Sequence, residues 1–188
     1  MRTSFVFLGL IGLCMAAPAA ARSILVSEGM GHECYLATLD AASAENNRHG
    51  LAACNAAVSA YDEGSFNLAA SLVNRSEIYI RMERFGEALA DCDRALRVAP
   101  DLGAAYTNRG AGFVGLKQYD DAIAALDRAI ALGGTKLEIA YYNRGLAKDY
   151  KGDVEGAYRD YQKSLALNPD FAPPREQLPR FKVTARSQ

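Results

Sequence analysis

The chain repeats itself with a period of about 34 residues, and this constrains its fold more than any other feature. The dipeptide Asn74-Arg75 returns as Asn108-Arg109 and again as Asn143-Arg144. Ala88, Ala122 and Ala157 keep the same spacing, as do Ala95, Ala129 and Ser164. Whole segments align, ALADCDRALRVAP at 88–100 with AIAALDRAIALGG at 122–134 and AYRDYQKSLALNP at 157–169. A unit of this length accommodates two short helices, which cannot bury their apolar faces alone and must stack on neighbouring units. In each first helix (A), Leu72, Tyr106 or Tyr141 precedes a small residue, Ser76, Gly110 or Gly145, by one turn, so both share a face. The small residue lets the second helix (B) approach closely at Ala88, Ala122 or Ala157. Phe85, Tyr119 and Val154 open the B helices and are expected to plug the end of each hairpin, while Pro100, Gly134 and Pro169 stop them. An extra residue in the turn Gly133-Gly134-Thr135-Lys136 is a loop insertion.

These segments resemble tetratricopeptide repeats, and the whole chain is similar to small exported bacterial proteins of that family. The match covers 69–102, 103–136 and 138–171. The resemblance implies an all-α fold, a right-handed α-solenoid of about four stacked antiparallel hairpins with a short C-terminal cap. It also implies a non-catalytic role in protein or peptide binding, as an adaptor or assembly factor.

Residues 22–68 read as a degenerate N-terminal capping hairpin. Leu51-Ala52-Ala53-Cys54-Asn55-Ala56-Ala57-Val58 aligns with Leu89-Ala90-Asp91-Cys92-Asp93-Arg94-Ala95-Leu96, and Cys34 to Leu39 supplies the matching A helix. His49 then falls in the turn between the two cap helices. Across such a hairpin Cys34 faces Cys54, and a disulfide between them is predicted; free thiols are the alternative. Redox or metal chemistry is not supported, because the pair is not C-x-x-C and no His-rich ligand set accompanies it. Cys92 takes the place of Leu126 and Tyr161 and reads as a small core residue, with a reactive thiol as the competing reading.

Residues 1–21 read as a cleaved signal peptide. Met1-Arg2 gives the positive start, Phe5 to Met15 the apolar run, and Ala17-Pro18-Ala19 or Ala19-Ala20-Ala21 the cleavage site. The expected location is periplasmic or secreted, which permits disulfides; anchoring by an uncleaved N-terminal segment is the alternative. Cys14 follows Leu13, where lipoprotein signals have a small residue, and belongs to the discarded run. No further stretch reads as a membrane span. The formal net charge of −1 argues against a dedicated nucleic-acid binder. Residues 172–188 form a C-terminal cap and tail. Pro173 and Pro174 suit the first turn of a short helix, Leu178, Phe181 and Val183 are expected to cover the last repeat, and the basic residues read as a solvated end, with contact to membrane phosphate or nucleic acid as the competing reading.

No catalytic constellation is present in the sequence, and no cofactor or metal is expected. His32 and His49 lie outside metal-binding spacings, Gly133-Gly134 is an isolated turn, and no phosphate loop or nucleophile elbow occurs. Asp91, Asp93, Asp120, Asp121 and Asp127 recur on the B helices and read as a solvated face. In the family resembled, the A helices line a concave groove, and the sixth residue of each repeat, Asn74, Asn108 or Asn143, points into it. These amides either pair with the backbone of an extended peptide or bond the repeat's own turns. Arg75, Arg109 and Arg144 are assigned mainly to structural pairing. Helical spacing adds Glu77, Ile80 and Arg81; Thr107 and Ala111; and Tyr142, Leu146, Asp149 and Tyr150 as protein-binding candidates. Of the basic residues that would clamp an acidic C-terminus, only Arg81 is present, so the groove is neutral and partly aromatic. Tyr142 and Tyr150 either anchor a partner or pack on the C-terminal segment. Two alternative functions stand beside this one: a structural subunit of an envelope complex held by its convex face or ends, and a thiol-dependent enzyme or redox sensor using Cys92.

Overall fold

The structure, a computed structural model, describes residues 29–39, 43–134 and 136–181. The signal segment, Val183 and the tail's Lys182 and Arg186 lie outside the described residues. In order come α1 (Met30–Leu39), α2 (Ala44–Ala60), α3 (Phe66–Arg81), α4 (Phe85–Val98), α5 (Gly103–Gly115), α6 (Tyr119–Leu132), α7 (Leu137–Tyr150), α8 (Val154–Leu167) and α9 (Ala172–Gln177). A 3-10 turn, Leu178–Arg180, follows. Among the described residues there is no strand. Consecutive helices form antiparallel hairpins stacked into a right-handed α-solenoid. Each A helix (α1, α3, α5, α7) packs on its own B helix and on the A helix before it, whereas the B helices chiefly meet the flanking A helices. The row whose members touch is the inner one, so α3, α5 and α7 line the concave side.

The turns explain the precision of the stacking. At the ends of α3, α5 and α7 one residue takes a left-handed conformation: Glu83 at φ 57°, Lys117 at φ 60° and Gly152 at φ 85°. The following amide then reaches back five residues along the ladder, Arg84 N to Tyr79 O, Gln118 N to Phe113 O and Asp153 N to Lys148 O, each at 2.9 Å. This closure satisfies the carbonyls that a helix end leaves open and fixes the angle at which helix B departs. Elsewhere hydroxyls set the boundaries. Ser65 Oγ accepts from Leu68 N at 3.1 Å, so α3 begins at Phe66, ahead of the boundary read at 69. Ser43 Oγ accepts from Asn46 N at 2.9 Å and starts α2 early. His49 is therefore an exposed residue inside α2, not a turn residue, because the Ser43 cap nucleates the helix before it.

Hairpin packing is a trade of volume between two positions. A Cβ on Gly110 would stand 2.4 Å from Leu126 Cγ, and one on Gly145 2.8 Å from Tyr161 Cε1. In the first repeat both partners are small, Ser76 against Cys92, and all are buried. Phe85 packs on Gly115, where an added Cβ would be 2.4 Å from its ring. Tyr119 stacks on Tyr150, centroids 5.1 Å apart. These two B-helix openers thus press on the end of the next repeat's A helix. Val154 does not act as a plug: it is 56% exposed, since α9 stops at Gln177, short of that register.

The cap hairpin is closed by a Cys34–Cys54 disulfide, Cα atoms 4.5 Å apart, with both residues fully buried beside Ala57 and Ile78. Replacing both cysteines with alanine is expected to lower the stability of the cap by about 3 kcal/mol, the chain-entropy value for a loop of this size. Amide exchange across α1 and α2 should accelerate while α5 to α8 stay protected; unchanged exchange in the cap contradicts the expectation. At the other end, Pro173 and Pro174 occupy the first turn of α9, and Phe181 packs edge-on to Tyr161 at 5.7 Å and against Tyr158.

Candidate functional site

The repeated Arg of each A helix holds adjacent hairpins together. Arg75 reaches Asn55, Arg109 reaches Asp93 and Arg144 reaches Asp127, at 2.9, 2.9 and 2.6 Å. These acceptors share one register on the preceding B helix. A second acceptor lies on the same repeat's own B helix: Arg75 grips Asp91 with two bonds of 2.7 Å, and Arg144 grips Asp160 at 2.8 and 2.6 Å. Ala125 fills that register in the middle repeat. Asp91 is consequently 5% exposed and departs from the solvated face expected of the B-helix acids. Burial works to lower the pKa of Arg144, but its bonds to Asp160 and Asp127 outweigh this and raise it.

The Asn ladder divides in two. Asn108 Nδ2 donates to Val73 O at 3.1 Å and to Ser76 Oγ at 2.9 Å, tying α5 to α3. Gly110 stands where Ser76 does and offers no hydroxyl, so Asn143 lacks that partner. Its amide makes no hydrogen bond among the described residues and is half-buried on the inner face. Asn74 is 5% exposed, with Nδ2 unbonded. We expect Asn108→Ala to cost about 1 kcal/mol or more, because it strips a paired amide, and Asn143→Ala to change stability by less than about 0.5 kcal/mol. Urea unfolding of the two variants side by side reads this difference; equal losses refute it.

The other groove candidates also separate. Arg81 Nη2 donates to Thr38 O at 2.5 Å and to Glu77 at 2.6 Å, capping the C-terminus of α1. Lys136 lies 3.8 Å from the same Glu77. Thr107 Oγ1 donates to Gly103 O at 3.1 Å within α5 and is 8% exposed. Ile80 and Ala111 are half-buried. Four candidates come together on α7. Tyr142, Leu146, Asp149 and Tyr150 line a hollow of about 330 Å³, closed on the far side by Gln177 and Arg180. Tyr142 meets Phe171 edge-on at 5.6 Å and Tyr161 at 5.8 Å, so one ring edge packs on the C-terminal segment while the residue still walls the hollow. Burial, then Glu176 and Tyr150, raise the Tyr142 pKa. Tyr150 is 66% exposed. Gln177 and Arg180 were not among the sequence candidates. The signal for them was the proline pair with Leu178 and Phe181, which turns the chain back over α7.

A second hollow of about 280 Å³ lies on the cap, walled by Met30, Glu33, His49, Ala52, Ala53 and Ala56. Cys92 is fully buried, and burial pushes its thiol pKa up to about 12, so it stays protonated and unreactive near neutral pH. Among the described residues no cluster of His, Cys, Asp and Glu is arranged to hold a metal ion, and no helix is long and apolar enough to cross a membrane.

Sequence comparison settles the family. Residues 67–133 and 139–171 match tetratricopeptide-repeat profiles. The chain belongs to the tetratricopeptide-repeat family. The repeats that matched are α3 to α6 and α7 with α8, the part of the stack that carries the Asn-Arg signature. No curated protein matches the chain in sequence. Solved structures share the fold. TTC0263, a thermophilic tetratricopeptide-repeat protein of Thermus thermophilus, superposes with a TM-score of 0.65 at 19% identity over 81% of each chain. A MamA crystal structure gives 0.61 at 20% identity, over 81% of this chain and 82% of that one. The first repeat domain of Spaghetti (RPAP3), bound to the HSP90 peptide SRMEEVD, gives 0.57 at 23% identity, over 64% of this chain and 94% of that one. Tetratricopeptide-repeat domains are interaction scaffolds for proteins and peptides, and this chain is a protein–protein interaction module.

Proposed function

We propose that this module binds an extended segment of a partner protein along its concave face, with the hollow between α7 and the C-terminal turn as the anchor point. The observation that carries this reading is the hollow itself, which gathers Tyr142, Leu146, Asp149 and Tyr150 on the inner row of helices. Large, rigid aromatic residues with polar tips are the usual anchors of protein contacts. The open amide of Asn143, one turn from Leu146, adds a donor and an acceptor for a peptide backbone. Arg75, Arg109, Arg144 and Asn108 hold the groove's shape and do not contact the partner. The role is non-catalytic, that of an adaptor or assembly factor, in the periplasm or outside the cell.

The test is affinity capture with tagged protein from an envelope extract of its host, wild type beside Leu146→Ala/Tyr150→Ala. Circular dichroism must first show the variant folded. Tyr150 is exposed and Leu146 half-buried, so the fold should survive. A partner held by the wild type and lost by the variant supports the groove. A partner retained by both removes it in favour of a structural subunit held by its ends, a reading supported by the exposed Met30, Leu36 and Leu39 on α1.

A further inference from the structure

We infer that the α7 hollow selects a cationic side chain, arginine above lysine, from an extended peptide, and that Arg180 is the chain's own stand-in for it. This rests on the groove reading above and names the chemistry of its anchor. The floor of the hollow carries one carboxylate, Asp149, whose Oδ2 also accepts from Tyr161 Oη at 3.4 Å. Other cations nearby are committed elsewhere: Arg144 to Asp127 and Asp160, Lys148 to Asp160 at 2.8 Å, and Lys151 to Asp120. Asp149 is left to Arg180, whose Nη2 donates to Oδ2.

That pair differs from the structural ones in kind. Arg144 and Asp160 meet through two bonds, with side chains 17% and 6% exposed. Arg180 makes a single-point contact from a three-residue 3-10 turn, and its side chain is 57% exposed. Such an ion pair contributes little and exchanges readily. Around the carboxylate stand Tyr142 and Tyr150, the latter stacked on Tyr119 with planes 11° apart. A carboxylate beside aromatic faces suits a guanidinium, which bonds the acid and stacks on the rings. The chain's own guanidinium already bonds the acid, while its ring contact is with Phe181, 5.7 Å from the centroid, which leaves the tyrosines of the hollow to an incoming side chain. A peptide arginine entering the groove therefore displaces Arg180, and the C-terminal turn competes with the partner for Asp149.

The probes are two blocked peptides, acetyl-Gly-Leu-Arg-Leu-Gly-amide and its citrulline counterpart, which has the same shape without the charge. Calorimetric titration of the full chain, wild type and variants, reads the affinities. The arginine peptide should bind wild type about fivefold tighter than the citrulline peptide, the scale of a partly exposed cation–aromatic contact. Arg180→Ala should bind the arginine peptide several-fold tighter than wild type and leave the citrulline peptide unchanged. Asp149→Asn should erase the preference. Equal binding of both peptides to Arg180→Ala overturns the inference, as does weaker arginine binding by that variant, since Arg180 would then be a contact and not a competitor. Absence of binding at millimolar peptide overturns it as well. The groove reading is judged apart: equal binding of both peptides that disappears in Tyr150→Ala keeps the groove and rejects its cation preference.

Discussion

Arg144→Ala should cost this protein about 3 kcal/mol or more, because removing one partner of a buried ion pair strands the other charge. Asp160 has a side chain only 6% exposed, and Arg144 meets it through two bonds while also holding Asp127 of the preceding hairpin. Lys148 at 2.8 Å keeps part of the compensation, which places the loss at the lower end of the range for such pairs. Urea unfolding followed by circular dichroism measures it. The double variant Arg144→Ala/Asp160→Ala should recover much of the loss, since it leaves no buried charge unpaired, and the cycle isolates the coupling. Arg109→Ala is the internal control. Its single 2.9 Å bond to the exposed Asp93 should make that loss smaller, about 1 kcal/mol at most. Equal losses at Arg109 and Arg144 would remove the buried pair as the cause.

Tyr161→Ala should be as damaging, about 3–5 kcal/mol, the range for deleting a large buried aromatic side chain. Tyr161 is fully buried and fills the space that Gly145 leaves, and it supports Tyr142 on one side and Phe181 on the other. Its loss should release the C-terminal segment, so amide exchange over 172–181 should accelerate and the α7 hollow should lose its far wall. Tyr161→Phe should cost much less, because the hydroxyl makes only a long 3.4 Å bond to Asp149. Tyr161→Leu should lie between, since Leu126 holds the same register in the middle repeat. A loss in Tyr161→Ala confined to peptide binding, with stability unchanged, would show that the residue serves the groove and not the stack.

These two residues show how unevenly the site could be read. Tyr161 is legible: a residue four positions after a repeated Ala, opposite a repeated small residue, must lie between helices A and B. Arg144 is legible as structural, because it recurs with the period. The groove residues were harder. Asn74, Asn108 and Asn143 look alike in the sequence, yet Asn108 is committed to α3 and Asn143 is open, and the difference lies in Ser76 against Gly110, residues of the preceding repeats. Arg81 and Thr107 were placed on the inner face by spacing, but the bonds that occupy them run to Thr38 and Gly103.

What the sequence by itself determined is whatever recurs. The hairpins, their stacking, the small-against-large packing of Gly110 on Leu126 and Gly145 on Tyr161, and the Cys34–Cys54 disulfide all follow from period and register, since each repeat meets the next in the same way. The tertiary structure alone decided what happens where the period ends. Ser43 starts α2 early and takes His49 into the helix. The short α9 leaves Val154 exposed, and the turn after it swings Arg180 onto Asp149, a residue 31 positions away. Interactions at the ends have no neighbouring repeat to copy, so side-chain geometry in three dimensions, not periodicity, fixes them.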